Sequence, residues 1–525
     1  MAATAKGVAR AMDEGGSGSR WAIAVLVAVL ALGTVAAFYA LRLARPTVGP
    51  VVALPTPSIA PTVELWLSTA DRRLKLARQP DIAMVERGSL HADIVIDVQK
   101  TYQTMDGFGA AMTDSSAWLL QNKLNVLQRA ALLHELYGPP PNLDLNMMRL
   151  TIGASDFSRE IYTMDDMPFG QVDPQLEHFN VAPNKTYLIP TVREALAIDP
   201  DLRIIASSWT APAWMKDNGN LLGGTLLEEY EGAYADYLVK YLDAIRSYGI
   251  PIFALTVQNE PNFEPLTYPG MRLSAEQRAR LVAQYLGPKL AKRKSATRIL
   301  EWDHNWNHPE QPTSVLSNPD AARYIDGVAW HCYEGSPHAQ GAVHRQFPDK
   351  DVYITECSGG DWASGINGEL IWFSRDLLIA GIRQWARAVV YWNLALDENY
   401  GPHFGGCALC KGIVTIDSIT GAVSRNDEYY AIAHFSRFVL PGAVRVNSTA
   451  TDKGIDNVAF QNATDGSTVL VVVNSDEKAR DVSVAEGKTR FQYTMPPRSV
   501  ATFVWSPDQA IALVRRALWW LKKAW

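Results

Sequence analysis

Cysteine is scarce in this sequence, and the basic residues are outnumbered by the acidic ones. Four cysteines in 525 residues are too few for a disulfide scaffold. The formal net charge is −6 at pH 7, which argues against nucleic acid as a main partner. No G-x-G-x-x-G phosphate loop follows the first strand-like run, because Gly107-Phe108-Gly109 is only a fragment of one. Apolar residues, by contrast, make up 47% of the chain, enough to bury a large core.

A long uncharged stretch lies near the N-terminus. Trp21 to Leu41 has the length that an α-helix needs to cross a bilayer, whereas a cleaved signal peptide has an apolar region of roughly 7–15 residues. We therefore expect an uncleaved membrane anchor, with secretion instead if the segment is cleaved. The basic residues around it place the N-terminus in the cytoplasm and the catalytic part outside, in a periplasm or at a cell surface. They are Lys6, Arg10 and Arg20 before the span, and Arg42 and Arg45 after it.

Eight strand-like apolar runs alternate with helix-compatible stretches in the middle of the chain. Continuous apolar runs of this kind are typical of parallel strands buried on both faces. The alternation predicts a (β/α)₈ barrel, and the missing phosphate loop disfavours the alternative, an open doubly wound sheet. The runs are MDGFGAAMTD, NMMRLTIGAS, RIIASSWTAP, FALTVQNEP, RILEWDHN, GVAWHCYEG, VYITECSGG and AVVYWNLAL.

Short strand-like pieces precede and follow this region. The later strands cannot easily complete a β-sandwich alone, so we expect the earlier ones to join them in one discontinuous β-sandwich. The predicted division is a cytoplasmic tail and transmembrane anchor at 1–45, a Pro-rich linker at 46–62, the first sandwich strands at 63–104, the barrel at 105–430, the remaining sandwich at 431–506 and a basic amphipathic helix at 507–525.

The final helix has two possible surroundings. Basic residues fall on one arc of it and Leu and Trp residues on the other. Such a helix lies at a membrane interface, or it packs its apolar side on the fold. The sequence leaves both open.

The four cysteines form two pairs with different contexts. Cys407 and Cys410 make a C-x-x-C without a His cluster or βαβ context, so a local loop disulfide is favoured over a zinc or thioredoxin-like site. Cys332 and Cys357 each follow a candidate site residue. Because side chains alternate along a strand, these two are expected to point away from the site into the barrel wall.

Two glutamates each follow a strand-like run. Ile252 to Gln258 leads into Asn259-Glu260-Pro261, and Val352 to Thr355 leads into Glu356. The carboxyl ends of barrel strands carry the active site. Two carboxylates presented there are the minimum equipment for cleaving a glycosidic bond.

Several motifs occur in the order and spacing of glycoside hydrolase family 30. They are FGAAMTDSS, ASSWTAPAWMK, VQNEP, WHCY, ITECSGG and YWNLAL. The sequence resembles this family over roughly residues 63–505. The resemblance implies a TIM barrel with an attached β-sandwich, and retaining hydrolysis of β-glycosides without a metal or cofactor.

The resemblance also implies roles for the paired glutamates and their neighbour. Glu260 matches the acid/base and Glu356 the nucleophile, which in retaining enzymes stand about 5–5.5 Å apart. Glu260 must be protonated at rest, so its pKa is expected to be raised. Asn259 is expected to hydrogen-bond the 2-hydroxyl of the sugar.

Other positions match residues around the sugar. Asp114 matches an acid that binds sugar hydroxyls, although it is also placed to cap the helix starting near Ser115. Arg149 fits an arginine near the nucleophile, or a salt bridge within the barrel wall. Trp209 and Trp392 match aromatic residues that line the subsite in which Asp114 would bind the sugar, or they belong to the core. His331 and Tyr333 share one strand face and match residues that border the nucleophile.

One loop bears on the class of substrate. The loop from Asn399 to Gly412 resembles bacterial members more than the animal lysosomal enzymes. We therefore expect a carbohydrate or glycolipid substrate, a β-linked glucan before a ceramide glycoside. Two alternatives stay open: a β-glucan transglycosylase with the same glutamates, and a non-catalytic carbohydrate-binding barrel, which has no need to keep both glutamates.

Overall fold

The computed structural model describes residues 62–86, 92–363, 369–451 and 454–506. The predicted membrane anchor, most of the Pro-rich linker and the C-terminal amphipathic helix lie outside these ranges. Within them, no helix has both the length and the apolar character that crossing a membrane requires.

Eight parallel strands close into a barrel, as the alternating runs predict. The eighth strand pairs with the first, with Val389 opposite Phe108. In chain order the barrel strands are Gly107–Ala111, Met147–Ile152, Arg203–Ser208, Ala254–Thr256, Arg298–Asn305, Gly327–His331, Asp351–Glu356 and Ala386–Tyr391. We number them one to eight.

Side chains fill the inside of the barrel. An apolar layer closes its centre and includes Met147, Ile205, Leu300 and Tyr353, all fully buried. Alternate residues of the same strands pack outward against the surrounding helices. The barrel is therefore a packed core, and function is confined to its ends.

Helices and short connecting elements surround the barrel. The α-helices are Asp114–Asn122, Val126–Tyr137, Ala182–Lys185, Leu188–Ile198, Glu231–Ser247, Glu310–Leu316, Pro319–Ala322, His338–Gln346 and Asp427–Ser436. Two longer helices contain a wider central turn and run as Ala275–Arg280, Leu281–Leu286 and Gly287–Lys292, and as Glu369–Trp372, Phe373–Ile379 and Ala380–Arg383. Short 3₁₀ turns are Ala213–Met215, Glu228–Tyr230 and Asp361–Ala363, and short strands are Gly359–Gly360, Ala395–Leu396, Cys410–Lys411, Val414–Ile416 and Val423–Arg425.

One folded sheet of ten strands draws on both ends of the described chain. Its apolar core includes Leu65 from an early strand and Leu470, Phe491 and Phe503 from late ones, so the two halves of the sheet face each other. In chain order its strands are Thr62–Thr69, Ala77–Ala83, Val85–Glu86, Ile94–Thr104, Val444–Ser448, Ile455–Gln461, Thr468–Asn474, Arg480–Glu486, Thr489–Met495 and Ser499–Trp505.

A helix joins this sandwich to the barrel. Phe435 on the helix Asp427–Ser436 packs against Phe108 of barrel strand one, with ring centroids 5.8 Å apart. On the same helix, His434 lies 2.8 Å from the hydroxyls of both Ser68 and Thr502. Burial lowers the pKa of His434 to about 3, so a neutral imidazole links the helix to two neighbouring sandwich strands.

Candidate active site

Both glutamates lie at the carboxyl end of the barrel. Glu356 is the last residue of strand seven, and Glu260 follows strand four after a short turn. Their carboxylates approach so that one oxygen of each lies within 4.8 Å of the other. This separation suits a direct attack on the sugar and is too short for the roughly 6.5–9.5 Å of an inverting pair.

The turn after strand four sets the direction of Glu260. This residue has a left-handed backbone, with φ of +46°, which is uncommon for a residue other than glycine. Its backbone N–H donates to the carbonyl of Asp303 over 3.1 Å. Its Oε1 lies 3.0 Å from Nδ1 of His331 and 3.7 Å from Nε2 of His304. Backbone conformation at functional sites is often strained in this way.

Two side chains hold the carboxylate of Glu356. The Tyr333 hydroxyl donates to Oε1 over 2.9 Å, and the Arg149 guanidinium donates to Oε2. Arg149 reaches further, to Asn259 Oδ1 over 2.7 Å and to Asp303 Oδ2 over 2.8 Å. Both predicted roles of Arg149 therefore apply, because it contacts the nucleophile candidate Glu356 and also forms a salt bridge with Asp303 inside the barrel.

Asp303 is the hub beneath the two glutamates. Its side chain is fully buried and accepts hydrogen bonds from hydroxyls of three strands, Ser207, Thr256 and Thr355. It also lies 3.1 Å from Nε2 of His331. Because a carboxylate accepts there, His331 keeps a proton on Nε2 and turns Nδ1 towards the glutamates.

The two tryptophans form a stack above Arg149. Trp209 and Trp392 have ring centroids 5.1 Å apart and planes 18° from parallel. The Arg149 guanidinium lies 4.9 Å and 5.4 Å from these two rings, within the range of a cation–π contact. Trp392 faces the cleft, while Trp209 packs against it and orients it.

A cleft of about 870 Å³ opens over the glutamates. Glu260, Glu356, Tyr333 and Trp392 form part of its floor. Its lining includes the exposed apolar side chains Phe263, Leu266 and Trp362, which form an apolar rim.

Comparison with known proteins identifies the family. The glycosyl hydrolase family 30 TIM-barrel domain matches residues 105–439, and the family 30 β-sandwich domain matches residues 442–503. This chain belongs to glycoside hydrolase family 30.

Relatives of this family 30 enzyme include endo-1,6-β-glucanases and glucosylceramidases. It is 35% identical over 442 residues to an endo-1,6-β-D-glucanase of Aspergillus fumigatus, covering 77% of this chain and 85% of that protein. It is 29% identical over 447 residues to the lysosomal acid glucosylceramidase of Mus musculus, covering 78% and 83%. A solved endo-β1,6-glucanase structure is 32% identical with a TM-score of 0.78, covering 85% of this chain and 99% of that one.

The pKa values of the two glutamates are shifted in the opposite order to the one expected. For Glu260, burial alone would raise its pKa, but the hydrogen bond from His331 and the positive charges around it, Arg149 among them, together lower it. Burial raises the pKa of Glu356, and the negative charge of Glu260 adds to this. The expectation of a raised pKa for Glu260 is therefore wrong. The cause is distance, because His331 Nδ1 is 3.0 Å from Glu260 and 3.8 Å from Glu356.

His331 carries the positive charge that produces this order. Burial alone would lower its pKa, but the charge of Glu356 and the hydrogen bonds to Asp303 and Glu260 raise it to about 9. Burial lowers the pKa of His304 to about 4, so this neighbour is neutral. The family 30 site thus sets the carboxylates of Asp303, Glu260 and Glu356 against the cations His331 and Arg149.

Asp114 is bound to a neighbouring arginine and does not cap the helix. Thr113 is the residue that caps the helix, since its side chain accepts from Ser116 N–H, so capping by Asp114 is wrong. The carboxylate of Asp114 is bound by Arg159, with Nε at 2.9 Å, and it is not among the residues lining the cleft. Its predicted contact with sugar hydroxyls gains no support from this arrangement.

A different acid, Asp156, lines the cleft instead. It follows strand two and is only 8% exposed. Burial raises its pKa well above the ordinary value, and the charges of Glu356 and Glu260 add to this. The sequence signal was its place just beyond a barrel strand, in Gly-Ala-Ser-Asp-Phe-Ser.

Both cysteine pairs form disulfides. Cys407–Cys410 is the predicted loop disulfide, with Cα atoms 5.6 Å apart, and it borders the cleft. Cys332–Cys357 is a second disulfide, with Cα atoms 5.3 Å apart. The sequence predicted its direction into the barrel wall but not the bond.

The glutamates and His331 also have the spacing of metal ligands. Their atoms are already engaged, however, because Arg149 and Tyr333 hold Glu356 and the imidazole bridges Asp303 and Glu260. A divalent cation placed here would lie against two positive side chains. The two glutamates and His331 therefore suit proton and glycosyl transfer better than metal binding.

Proposed function

We propose that this family 30 enzyme is an endo-acting hydrolase of β-1,6-linked glucan that works with retention of configuration. The observation that carries the reaction class is the approach of two carboxylate oxygens to within 4.8 Å at the carboxyl end of the barrel. The linkage is supported by relatives, because the endo-1,6-β-glucanases of three fungi are 32–36% identical.

In the first step, Glu356 attacks the anomeric carbon and the glycosidic bond breaks. Glu260 gives its proton to the leaving oxygen, and a covalent glycosyl–enzyme forms on Glu356. Arg149 and Tyr333 hold the attacking carboxylate. In the second step, Glu260 takes a proton from water, the water oxygen attacks the same carbon, and Glu356 leaves. Two inversions give net retention.

His331 supplies the proton to Glu260. Before the reaction the proton lies on His331 Nδ1, 3.0 Å from Glu260 Oε1. Its movement along this hydrogen bond leaves a neutral imidazole that still donates from Nε2 to Asp303. Glu356 then stays ionised beside Arg149, which is the state that attack requires. This assigns His331 a second task beyond bordering the nucleophile.

A glycolipid is a second candidate substrate, favoured by the cleft rim. Leu266 is 89% exposed there and Trp362 is 57% exposed, a surface suited to an apolar aglycone. Glucosylceramidases of animals are also among the relatives. The same glutamates serve a sugar acceptor as well as water, so transglycosylation is a further outcome of the same chemistry.

Product analysis on a defined panel tests this proposal. Purified enzyme is incubated with β-1,6-glucan, β-1,3-glucan, glucosylceramide in detergent and aryl β-glucosides, and products are followed by proton NMR. Internal cleavage of β-1,6-glucan with a β-anomer formed first is the expected result. An α-anomer formed first overturns the retaining assignment, preferred release of ceramide favours the glycolipid, and longer oligosaccharides indicate transglycosylation. No turnover on the whole panel supports a non-catalytic carbohydrate-binding barrel.

We also propose that the enzyme is held at a membrane by residues 21–41, with the barrel outside the cytoplasm. The support is the length of this apolar segment and the two disulfides, which persist in oxidising compartments. Full-length protein is expected to sediment with membranes and resist high-salt washing. Removal of residues 1–45 is expected to release active enzyme, and removal of 510–525 to leave the anchoring unchanged. Release by salt alone contradicts the anchor.

A further inference from the structure

The disulfide Cys332–Cys357 lies directly behind the reacting groups. Cys332 stands between His331 and Tyr333, and Cys357 follows Glu356. It therefore ties the end of barrel strand six to the end of strand seven. Both cysteines are buried in the apolar layer between the barrel and its helices.

The pairing of these two strands becomes irregular at this point. Strands six and seven run in step from Gly327 opposite Asp351 to Trp330 opposite Ile354, and then the register shifts so that His331 faces Glu356. The extra residue is Thr355, whose hydroxyl is bound to Asp303 over 2.6 Å. The ladder ends with this shifted pair. Beyond it, the disulfide is the covalent connection that fixes the new register.

The groups set by this register tolerate little movement. Tyr333 OH lies 2.9 Å from Glu356 Oε1, and His331 Nδ1 lies 3.8 Å from the same oxygen. Reacting groups must be held within about 0.5 Å of their working geometry. A shift of one strand end relative to the other changes both distances together, because His331 and Tyr333 flank one cysteine and Glu356 precedes the other.

We propose that Cys332–Cys357 is a positioning element for catalysis, which holds the His331–Tyr333 segment at a fixed distance from Glu356. This inference rests on the proposed function. A dithiol that reaches the bond takes it to two thiols and is itself oxidised to a cyclic disulfide, with two electrons and two protons transferred. The freed strand ends relax, so glycosyl transfer slows while the sugar still binds in the cleft.

A double variant, Cys332→Ala with Cys357→Ala, tests the proposal against a purely stabilising role. The matched control is Val484→Ala in the sandwich core, where Val484 is 1% exposed, because it weakens the fold far from the strand ends. Both are measured well below their melting temperatures. The first readout is the rate at which a 2-deoxy-2-fluoro-β-glucosyl fluoride labels Glu356, located by peptide mass spectrometry. The second is kcat and KM on an aryl β-glucoside.

In the double variant, we expect the rate of Glu356 labelling and kcat both to be about 10-fold to 10²-fold lower than in wild type, as for a small misplacement of reacting groups. KM should stay within about twofold, and the alkaline limb of the pH profile should move. The control should lose melting temperature and keep kcat. Equal labelling rates in wild type and double variant overturn the positioning role, whereas a wild type that is not labelled at Glu356 overturns the proposed function instead.

Reduction of the folded wild type covers the case in which the double variant does not fold. Enzyme is treated with a dithiol at neutral pH, and free thiols at Cys332 and Cys357 are counted by alkylation and peptide mass spectrometry. Loss of kcat in step with these two thiols, and its recovery on reoxidation, supports the proposal. Full kcat with both thiols free refutes it.

Discussion

The two ends of the barrel each contain an ionic network, and the two networks are balanced differently. At the amino end, Asp106 pairs with Arg203 and Arg387, and Asp351 pairs with Arg298 and Arg387. The arginines there are 23–37% exposed, so water completes their solvation. Every charge in this set has an opposite partner.

The carboxyl end has the opposite balance. Asp303, Glu260 and Glu356 face Arg149 and His331, and water reaches little of this set, because Asp303, Arg149 and His331 have fully buried side chains. Acid exceeds base, so the network shares a proton among its members, as coupled groups do. At the amino end, paired charges therefore stabilise the fold. At the carboxyl end, a proton shared among the acidic groups and His331 is available for the reaction.

The largest expected effect comes from removing the nucleophile candidate. Glu356→Gln should lower kcat by more than about 10⁴-fold with the melting temperature close to wild type, because the shape is kept. In a Glu356→Ala variant, azide should restore turnover and give an α-glucosyl azide. Activity near that of wild type in Glu356→Gln would remove this residue from the mechanism.

Loss of the acid/base candidate is expected to depend on the leaving group. Glu260→Gln should slow natural glucan by about 10²–10⁴-fold, since an alkoxide leaves poorly without a proton. Dinitrophenyl β-glucosides have leaving groups that need little protonation, so the rate of their first step should fall far less. Equal losses on both substrates contradict the role assigned to Glu260.

His331 is expected to set the alkaline limit of activity. Its pKa of about 9 means that the proton needed by Glu260 is lost as the pH rises through this value. In His331→Asn the last proton of the site lies on the two carboxyl groups, so the alkaline limb of kcat/KM should move down by at least about one pH unit. An unchanged limb shows that the proton is not held by His331.

The smallest effect on catalysis is expected at the amino end. Asp106→Asn should cost about 2 kcal/mol of unfolding free energy and leave kcat unchanged. Burial alone would raise the pKa of Asp106, but Arg387 lowers it, so this stability is present above pH ~4 and is lost as the pH falls further. Asp81→Asn is the control, because its exposed pair with Arg78 contributes under about 1 kcal/mol. A large loss of kcat in Asp106→Asn contradicts the division between the two ends.

The sequence predicts the barrel well because its signal is local. Strands buried on both faces must be continuously apolar, and all eight runs became barrel strands. The positions of Glu260 and Glu356 at the strand ends follow from the same pattern. Folding then brings the carboxylates together without further information.

Features that depend on backbone irregularity were not predictable. Trp302 and Asp303 have left-handed φ values of +77° and +59°, which break the alternation along strand five, so nothing marks Asp303 as the hub. The register shift between strands six and seven likewise hides the pairing of Cys332 with Cys357. Asp114 and Asp156 both follow barrel strands, and the sequence does not show that Arg159 binds the first of them while the second lines the cleft.

The ten-stranded sheet has a consequence for how the protein is made. Trp66 pairs with Thr502, yet at about 5–20 residues per second the ribosome makes the second strand some 20–90 seconds after the first. The early strands therefore stay without their late partners while the whole barrel emerges, exposing unpaired edges of the kind that aggregate. Chains that end before Ser499–Trp505 lack the strand that joins Thr62–Thr69 to Thr468–Asn474, so early termination should leave an aggregating product rather than an isolated working barrel.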